Sequence, residues 1–111
     1  MPSSTYHGPV PASANAPAIA VADGLLFATV ADSGQGVRTA AAQWRELLER
    51  SGQGAPTIDK VSCWTTRPDC AAVQREVRDA LALPGSAVVT AVQVGVPGGH
   101  SLVLDILARV D

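Results

Sequence analysis

The stretch AVVTAVQVGVPGGHSLVLDILARV, residues 87–110, decides the fold of this chain. Its β-branched and aliphatic residues predict one strand over residues 87–96 and another over residues 102–110. The segment Pro97-Gly-Gly-His100 between them is typical of a turn. The chain therefore ends in two long strands.

Both faces of these two predicted strands are largely apolar. The first strand places Val88, Thr90 and Val92 on one face, and Val89, Ala91 and Gln93 on the other. In the last strand, one face is wholly aliphatic and consists of Leu102, Leu104, Ile106, Ala108 and Val110. The other face is half apolar and consists of Val103, Asp105, Leu107 and Arg109. A sheet with one face in water alternates apolar with polar residues instead.

Two predicted helices supply a cover for only one face. A helical period from Val37 to a stop at Gly52 gives the first an apolar stripe of Val37, Ala40, Ala41, Trp44, Leu47 and Leu48. The second follows a capping-box pattern, Thr66-Arg-Pro-Asp69, and ends at Pro84-Gly85, with a stripe of Cys70, Val73, Val77, Ala80 and Leu81. We therefore expect other copies of the chain to cover the second face.

The rest of the chain completes an α+β domain. Ala18–Val21 and Leu25–Val30, joined by Asp23-Gly24, predict a hairpin, and Ile58–Thr65 predicts a strand between the helices. Residues 1–16 are rich in proline and predict a flexible N-terminal arm, which leaves residues 17–111 as a single domain. The predicted order is β-β-α-β-α-β-β, with both helices packed on one face of a mixed sheet.

The composition limits the partners. The 111 residues are 47% hydrophobic and 16% charged, with a net charge of −2 and a single lysine, Lys60. Nucleic-acid binding needs clustered positive charge, so we expect no nucleic-acid partner. The apolar runs reach only about ten residues, too short for a bilayer, and the N-terminus lacks a signal-peptide pattern. We expect a cytoplasmic protein without a membrane partner.

A few side chains carry chemistry of their own. Cys63 and Cys70 have no metal-ligand spacing and are expected to be buried free thiols, so no metal site is predicted. We expect His100 to be solvated in its turn. Trp44 and Trp64 fall on core patterns and are expected to pack inside.

Several segments, in this order and spacing, resemble the RidA/YjgF family over residues 15–110. They are Asp23-Gly-Leu-Leu-Phe27, Ala41-Ala-Gln43, Ile58-Asp-Lys-Val61, Val89-Thr-Ala-Val92 and, beyond Pro97, Leu102-Val-Leu-Asp-Ile106. The resemblance implies a chorismate mutase-like fold and a homotrimer with three ligand pockets between subunits. It also implies hydrolysis of the reactive enamines and imines that pyridoxal-phosphate enzymes release. No cofactor is expected.

The residues that this chemistry needs are missing. In the family an arginine opens an Arg-Thr-Ala-Val-like segment and clamps the substrate carboxylate, whereas Val89 stands here. A family glutamate that positions or activates water is replaced by Val103. The family's Gly-Pro-Tyr-Ser-Gln segment is absent, and its Ser-Gly-Gln has become Thr29-Val-Ala31. Such losses cost about 2–5 kcal/mol of recognition and about 10²–10⁴ in rate. We predict that this chain is not an efficient imine deaminase.

The resemblance also implies the walls of an interface pocket. The predicted ligand-binding residues are Thr29, Gln74, Val89, Thr90, Ala91 and Val103. With two valines in place of charges, the pocket suits a small apolar ligand, unless the valines fill it.

Several functions stay open at this point. The protein is a non-catalytic binding or interaction protein, a repurposed enzyme of bacterial specialised metabolism acting on an apolar molecule, or a residual deaminase. Asp105 is the candidate catalytic residue for the last, with a structural role as its alternative. A chorismate mutase fits less well, because its dianionic substrate needs several arginines and the last strand holds only Arg109.

Overall fold

The computed structural model describes residues 18–32, 36–52, 54–95 and 100–110. Its strands are β1 (Ala18–Ala22), β2 (Leu25–Ala31), β3 (Thr57–Thr65), β4 (Val88–Gln93) and β5 (Leu102–Arg109), and its helices are α1 (Val37–Ser51) and α2 (Cys70–Leu81). The predicted order and α+β class are confirmed. Within the described ranges, no helix has both the length and the apolar character needed to cross a membrane.

The five strands form one mixed sheet in the order β1-β2-β5-β3-β4. The pairs β1–β2, β2–β5 and β5–β3 are antiparallel, and β3 and β4 are parallel. A parallel pair needs a crossover connection, which α2 supplies between β3 and β4. In this strand order the last strand of the chain, β5, lies in the middle of the sheet.

The hairpin between β1 and β2 turns where the sequence predicts it. Asp23 and Gly24 both have left-handed backbone angles, with φ of 53° and 78°. Two such residues in a two-residue loop form the type I′ turn that matches the twist of a hairpin. The Gly24 carbonyl also accepts a 2.9 Å hydrogen bond from the Val110 N–H, which ties the turn to the end of the chain.

Both helices pack on one face of the sheet and turn the apolar stripes predicted for them toward it, with Leu48, Cys70, Ala80 and Leu81 only partly buried. The residues of α1 that become buried are Val37, Ala40, Ala41, Trp44 and Leu47, and those of α2 are Val73 and Val77. They pack against alternate residues of the central strands, among them Leu26, Val61, Leu104 and Ile106, which are at most 2% exposed. Helix α1 ends at Ser51 and is capped by Gly52, whose left-handed backbone lets its N–H donate to the Leu48 carbonyl.

The predicted capping box at Thr66-Arg-Pro-Asp69 is wrong. Asp69 is the N-cap of α2, but its carboxylate makes no capping bond. The Arg67 guanidinium takes both oxygens of Asp69, at 3.0 and 2.7 Å, and also binds Glu76. Thr65, not Thr66, accepts the backbone N–H of Arg67. The Asp69 carboxylate therefore pairs with the Arg67 guanidinium and not with a backbone N–H group of the first turn of α2.

The ends of α2 and β4 also differ from prediction. Helix α2 stops at Leu81, ahead of Pro84-Gly85, because Ala82 adopts a left-handed φ of 51° and its N–H bonds to the Asp79 carbonyl. Strand β4 begins after Ala87, whose N–H is used by the preceding turn. The predicted arm, residues 1–16, and the centre of the predicted turn before His100 lie outside the described residues.

Candidate functional site

The face of the sheet opposite the helices, called here the open face, carries one transverse row of polar side chains. Thr29 of β2 pairs with Asp105 of β5, Asp105 pairs with Ser62 of β3, and Ser62 pairs with Thr90 of β4. Paired residues share a face, so three hydroxyls and one carboxylate cross four strands in a line. These four residues are the polar row.

Asp105 is the fixed centre of this row. Its Oδ1 accepts a 2.9 Å hydrogen bond from the Thr29 hydroxyl, and its Oδ2 accepts a 3.0 Å hydrogen bond from the Trp64 indole N–H. The two donors come from strands on either side of β5 and hold the carboxylate in one orientation. They use about half of the hydrogen-bond positions that a carboxylate offers. The remaining positions are available to a ligand.

Apolar side chains flank the polar row on both sides. One neighbouring row contains Phe27, Leu107 and Val88, with the charged Lys60 between Leu107 and Val88, and the other contains Val103, Trp64 and Val92. Phe27 is 43% exposed, Trp64 is 38% exposed and Val88 is 53% exposed in the single chain. The prediction that Trp64 packs in the core is therefore wrong, because its position on β3 faces away from the helices. Trp44 is buried as predicted.

The sheet divides the predicted ligand-binding residues between its two faces. Thr29, Thr90 and Val103 lie on the open face with Asp105. Val89 and Ala91 alternate with Thr90 on β4 and pack against the core on the helix side. Gln74 is half-buried on α2. Within one chain, the six residues therefore do not line a common surface.

A second carboxylate, Asp32, was missed by the sequence analysis. It follows β2 directly and has no exposed surface. Its Oδ1 accepts the backbone N–H groups of Ser101 at 2.9 Å and Leu102 at 3.1 Å. Its Oδ2 accepts the Gly36 N–H at 2.9 Å and the Ser101 hydroxyl. These four bonds join the end of β2 to the start of α1 and the start of β5.

Asp32 is a structural carboxylate. Burial raises its pKa, but the hydrogen bonds from Ser101, Gly36 and Leu102 outweigh burial and hold the pKa below the ordinary value of 3.8. Its hydrogen-bond positions are all filled, so it has no capacity left for a ligand. The only sequence signal was an acidic residue between a strand and the glycines that precede a helix.

His100 belongs to this same buried junction. Its Nδ1 lies against the backbone carbonyl oxygen of Asp32, and its side chain is only 11% exposed. The expectation of a solvated histidine is therefore wrong. The contacts with Asp32 hold His100 and Ser101, the two residues before β5, against the protein interior.

The two cysteines are free. Cys63 is buried as predicted, and burial raises the pKa of its thiol to about 12, which makes it a poor nucleophile. Cys70 is only half-buried, which corrects the expectation that both thiols are buried. Among the described residues, no three His, Cys, Asp or Glu side chains form a group that could hold a metal ion.

Comparison with solved structures gives clear matches to one fold. A candidate translation initiation inhibitor from Salmonella typhimurium is 21% identical, with a TM-score of 0.67 over 83% of this chain and 87% of that chain. RidA from an Antarctic Psychrobacter species is 17% identical, with a TM-score of 0.63 over 83% of this chain and 85% of that one.

A member of the YjgF/YER057c/UK114 family from Mycobacterium tuberculosis is 15% identical, with a TM-score of 0.55 over 83% of this chain and 84% of that chain. No known family profile and no curated protein sequence matches the chain. The identities are low, and what the likenesses establish is the fold. The RidA/YjgF fold implied by the sequence resemblance is confirmed.

Proposed function

We propose that this chain, which has the RidA/YjgF fold, assembles as a homotrimer through its open face and binds a small, mainly apolar ligand where subunits meet. The observation that carries the proposal is the exposure of Phe27, Trp64 and Val88 on the same face of the sheet as Leu107 and Val103. Covering a large aliphatic or aromatic side chain contributes on the order of 1.5–3 kcal/mol. A face of this kind is typical of a subunit interface.

The trimer is not an efficient imine deaminase in this proposal. Val89 packs on the core side of β4, and Val103 lies on the open face beside Trp64. Neither side chain can clamp a carboxylate or move a proton. We therefore propose binding without this chemistry, as a ligand carrier or interaction protein. The free thiols fit a reducing cytoplasm as its setting.

An assay of ammonia release from 2-aminoacrylate tests this proposal. We expect the purified protein to release ammonia no faster than buffer alone, with a true RidA protein run alongside as the positive control. Turnover comparable to that control would contradict the proposal. The assay must use freshly generated substrate, because enamines of this type also hydrolyse without an enzyme.

A second candidate, a hydrolase acting on an enamine or on another small apolar molecule, is favoured by the geometry of Asp105. Its carboxylate is held by Thr29 and Trp64 and retains acceptor positions, as a general base requires. In that case any slow ammonia release would fall about 10²-fold or more in the Asp105→Asn variant. Equal slow rates in both proteins would count against this candidate.

A further inference from the structure

We propose that the polar row binds a protonated organic amine with an apolar body, and that Asp105 is the group that recognises its charge. The proposal rests on the proposed function, because it needs the open face to be covered in the assembly. It goes further in naming the charge of the ligand. The resemblance implies an arginine that clamps a carboxylate, whereas the polar row presents the carboxylate of Asp105.

Asp105 lies near the centre of the open face. It lies in β5, the central strand, with Thr29 on one side and Ser62 on the other. Covering the apolar rows on both sides of it must also cover Asp105. A carboxylate removed from water without a positive partner is strongly unfavourable, so the covered state calls for a cation at this point.

The cation next to Asp105 could come from the chain itself or from a ligand. Lys60 is the nearest candidate within the chain, since it lies one row away on β3, opposite Leu107. No ion pair joins these two described side chains, and Asp105 instead bonds to the neutral donors Thr29 and Trp64. Arg109, at the end of β5, forms a two-pronged ion pair with Asp59. We therefore assign the positive partner of Asp105 to the ligand, and the Lys60→Met variant tests the alternative that Lys60 is that partner.

The residues around the Asp105 carboxylate suit an organic cation. The Trp64 ring lies beside Asp105, and Phe27 lies one row away. Aromatic faces attract organic cations through their ring electrons, and the aliphatic neighbours Leu107 and Val103 accommodate an apolar body. The hydroxyls of Ser62 and Thr90 can accept the further N–H bonds of an ammonium group. These features favour an amine over an alcohol or a carboxylate of the same shape.

Benzylamine, benzyl alcohol and benzoate form a matched set of probes, because they differ mainly in charge. The readout is the indole N–H signal in the ¹⁵N NMR spectrum. The chain has two tryptophans, and Trp64→Phe identifies the signal of Trp64. The Trp64 N–H donates to Asp105, whereas Trp44 is a buried residue of α1 and serves as the internal control.

We expect benzylamine to shift the Trp64 signal in a saturable way and to leave the Trp44 signal in place. Asp105→Asn should weaken this binding by about tenfold or more, because it removes the charge and keeps the shape. Asp79→Asn, an exposed carboxylate on α2, is the matched control and should bind as the native protein does. Benzyl alcohol and benzoate should bind at least about tenfold more weakly than benzylamine.

Three results would overturn the proposal: equal or tighter binding of benzoate or benzyl alcohol, no effect of Asp105→Asn, or benzylamine binding that appears only after Lys60→Met. The last would mean that Lys60 already neutralises Asp105. Light scattering on the same sample tests the trimer separately. The two readouts are independent, so a trimer that does not bind benzylamine contradicts the amine proposal alone, whereas a monomeric mass contradicts the proposed function on which it rests.

Discussion

At the scale of single residues, Asp32 contributes most clearly to the stability of the fold. It is fully buried and accepts four hydrogen bonds from Gly36, Ser101 and Leu102. We expect Asp32→Asn to lower the free energy of unfolding by about 2–4 kcal/mol, because the amide replaces one acceptor with a donor that faces other donors. Urea unfolding at a fixed protein concentration measures the change.

Asp79→Asn is the control for this prediction. Asp79 lies on the exposed side of α2, and its loss should change the free energy of unfolding by less than about 0.5 kcal/mol. Equal effects of the two substitutions would contradict the structural role given to Asp32.

The stability that Asp32 supplies should also depend on pH. Its pKa in the folded protein lies below the ordinary value of 3.8, so the folded state favours the ionised form. The contribution is therefore complete above the unfolded pKa and is lost as the pH falls through the folded pKa. We expect the stability difference between the native protein and Asp32→Asn to be constant near neutral pH and to shrink below 3.8. A difference that grows in acid would contradict the assignment.

The sequence identified some site residues and missed others for a physical reason. Val103 and Asp105 were predicted to share a strand face because the alternation of side chains along a strand is a local pattern. The structural role of Asp32 could not be predicted from the sequence, because its donors Ser101 and Leu102 are 69 and 70 residues away from it in the chain.

At the scale of elements, Ala82 marks a strained end of α2. It ends the helix with φ of 51° and ψ of 51°, a left-handed conformation that favours glycine. We expect Ala82→Gly to raise the free energy of unfolding by about 0.5–1 kcal/mol, as measured by urea unfolding. Ala71→Gly, inside the same helix, should lower it by about 1 kcal/mol. Destabilisation by Ala82→Gly of the same size as by Ala71→Gly would contradict this account.

Most elements followed from local patterns, and the failures occurred where a tertiary partner intervened. Helix α1 was predicted well because its stripe and the stop at Gly52 agree. The start of α2 was misread because the side chain of Arg67 occupies the Asp69 carboxylate. That competition depends on how the chain bends before the helix.

At the scale of the whole molecule, the open face should control assembly. Phe27 and Val21 are both 43% exposed, but Phe27 lies on the open face and Val21 pairs with Leu26 on the helix side. We expect Phe27→Glu to dissociate the assembly into folded monomers, because it buries a charge at the interface. Val21→Glu should leave the assembly intact. Light scattering gives the masses, and circular dichroism confirms that both variants are folded.

The same result for both variants would contradict the assignment of the interface. Two assembled variants would mean that the open face is not buried between subunits. Two folded monomers would mean that the helix-side edge of β1 contributes as much as Phe27 does.

The mass of the native protein in solution tests the central claim most directly. One chain has a mass of 11.3 kDa. If the open face is covered by copies of the chain around a threefold axis, light scattering coupled to size exclusion will give three times that mass at micromolar concentration. A stable mass of 11.3 kDa over the same concentrations would contradict the account.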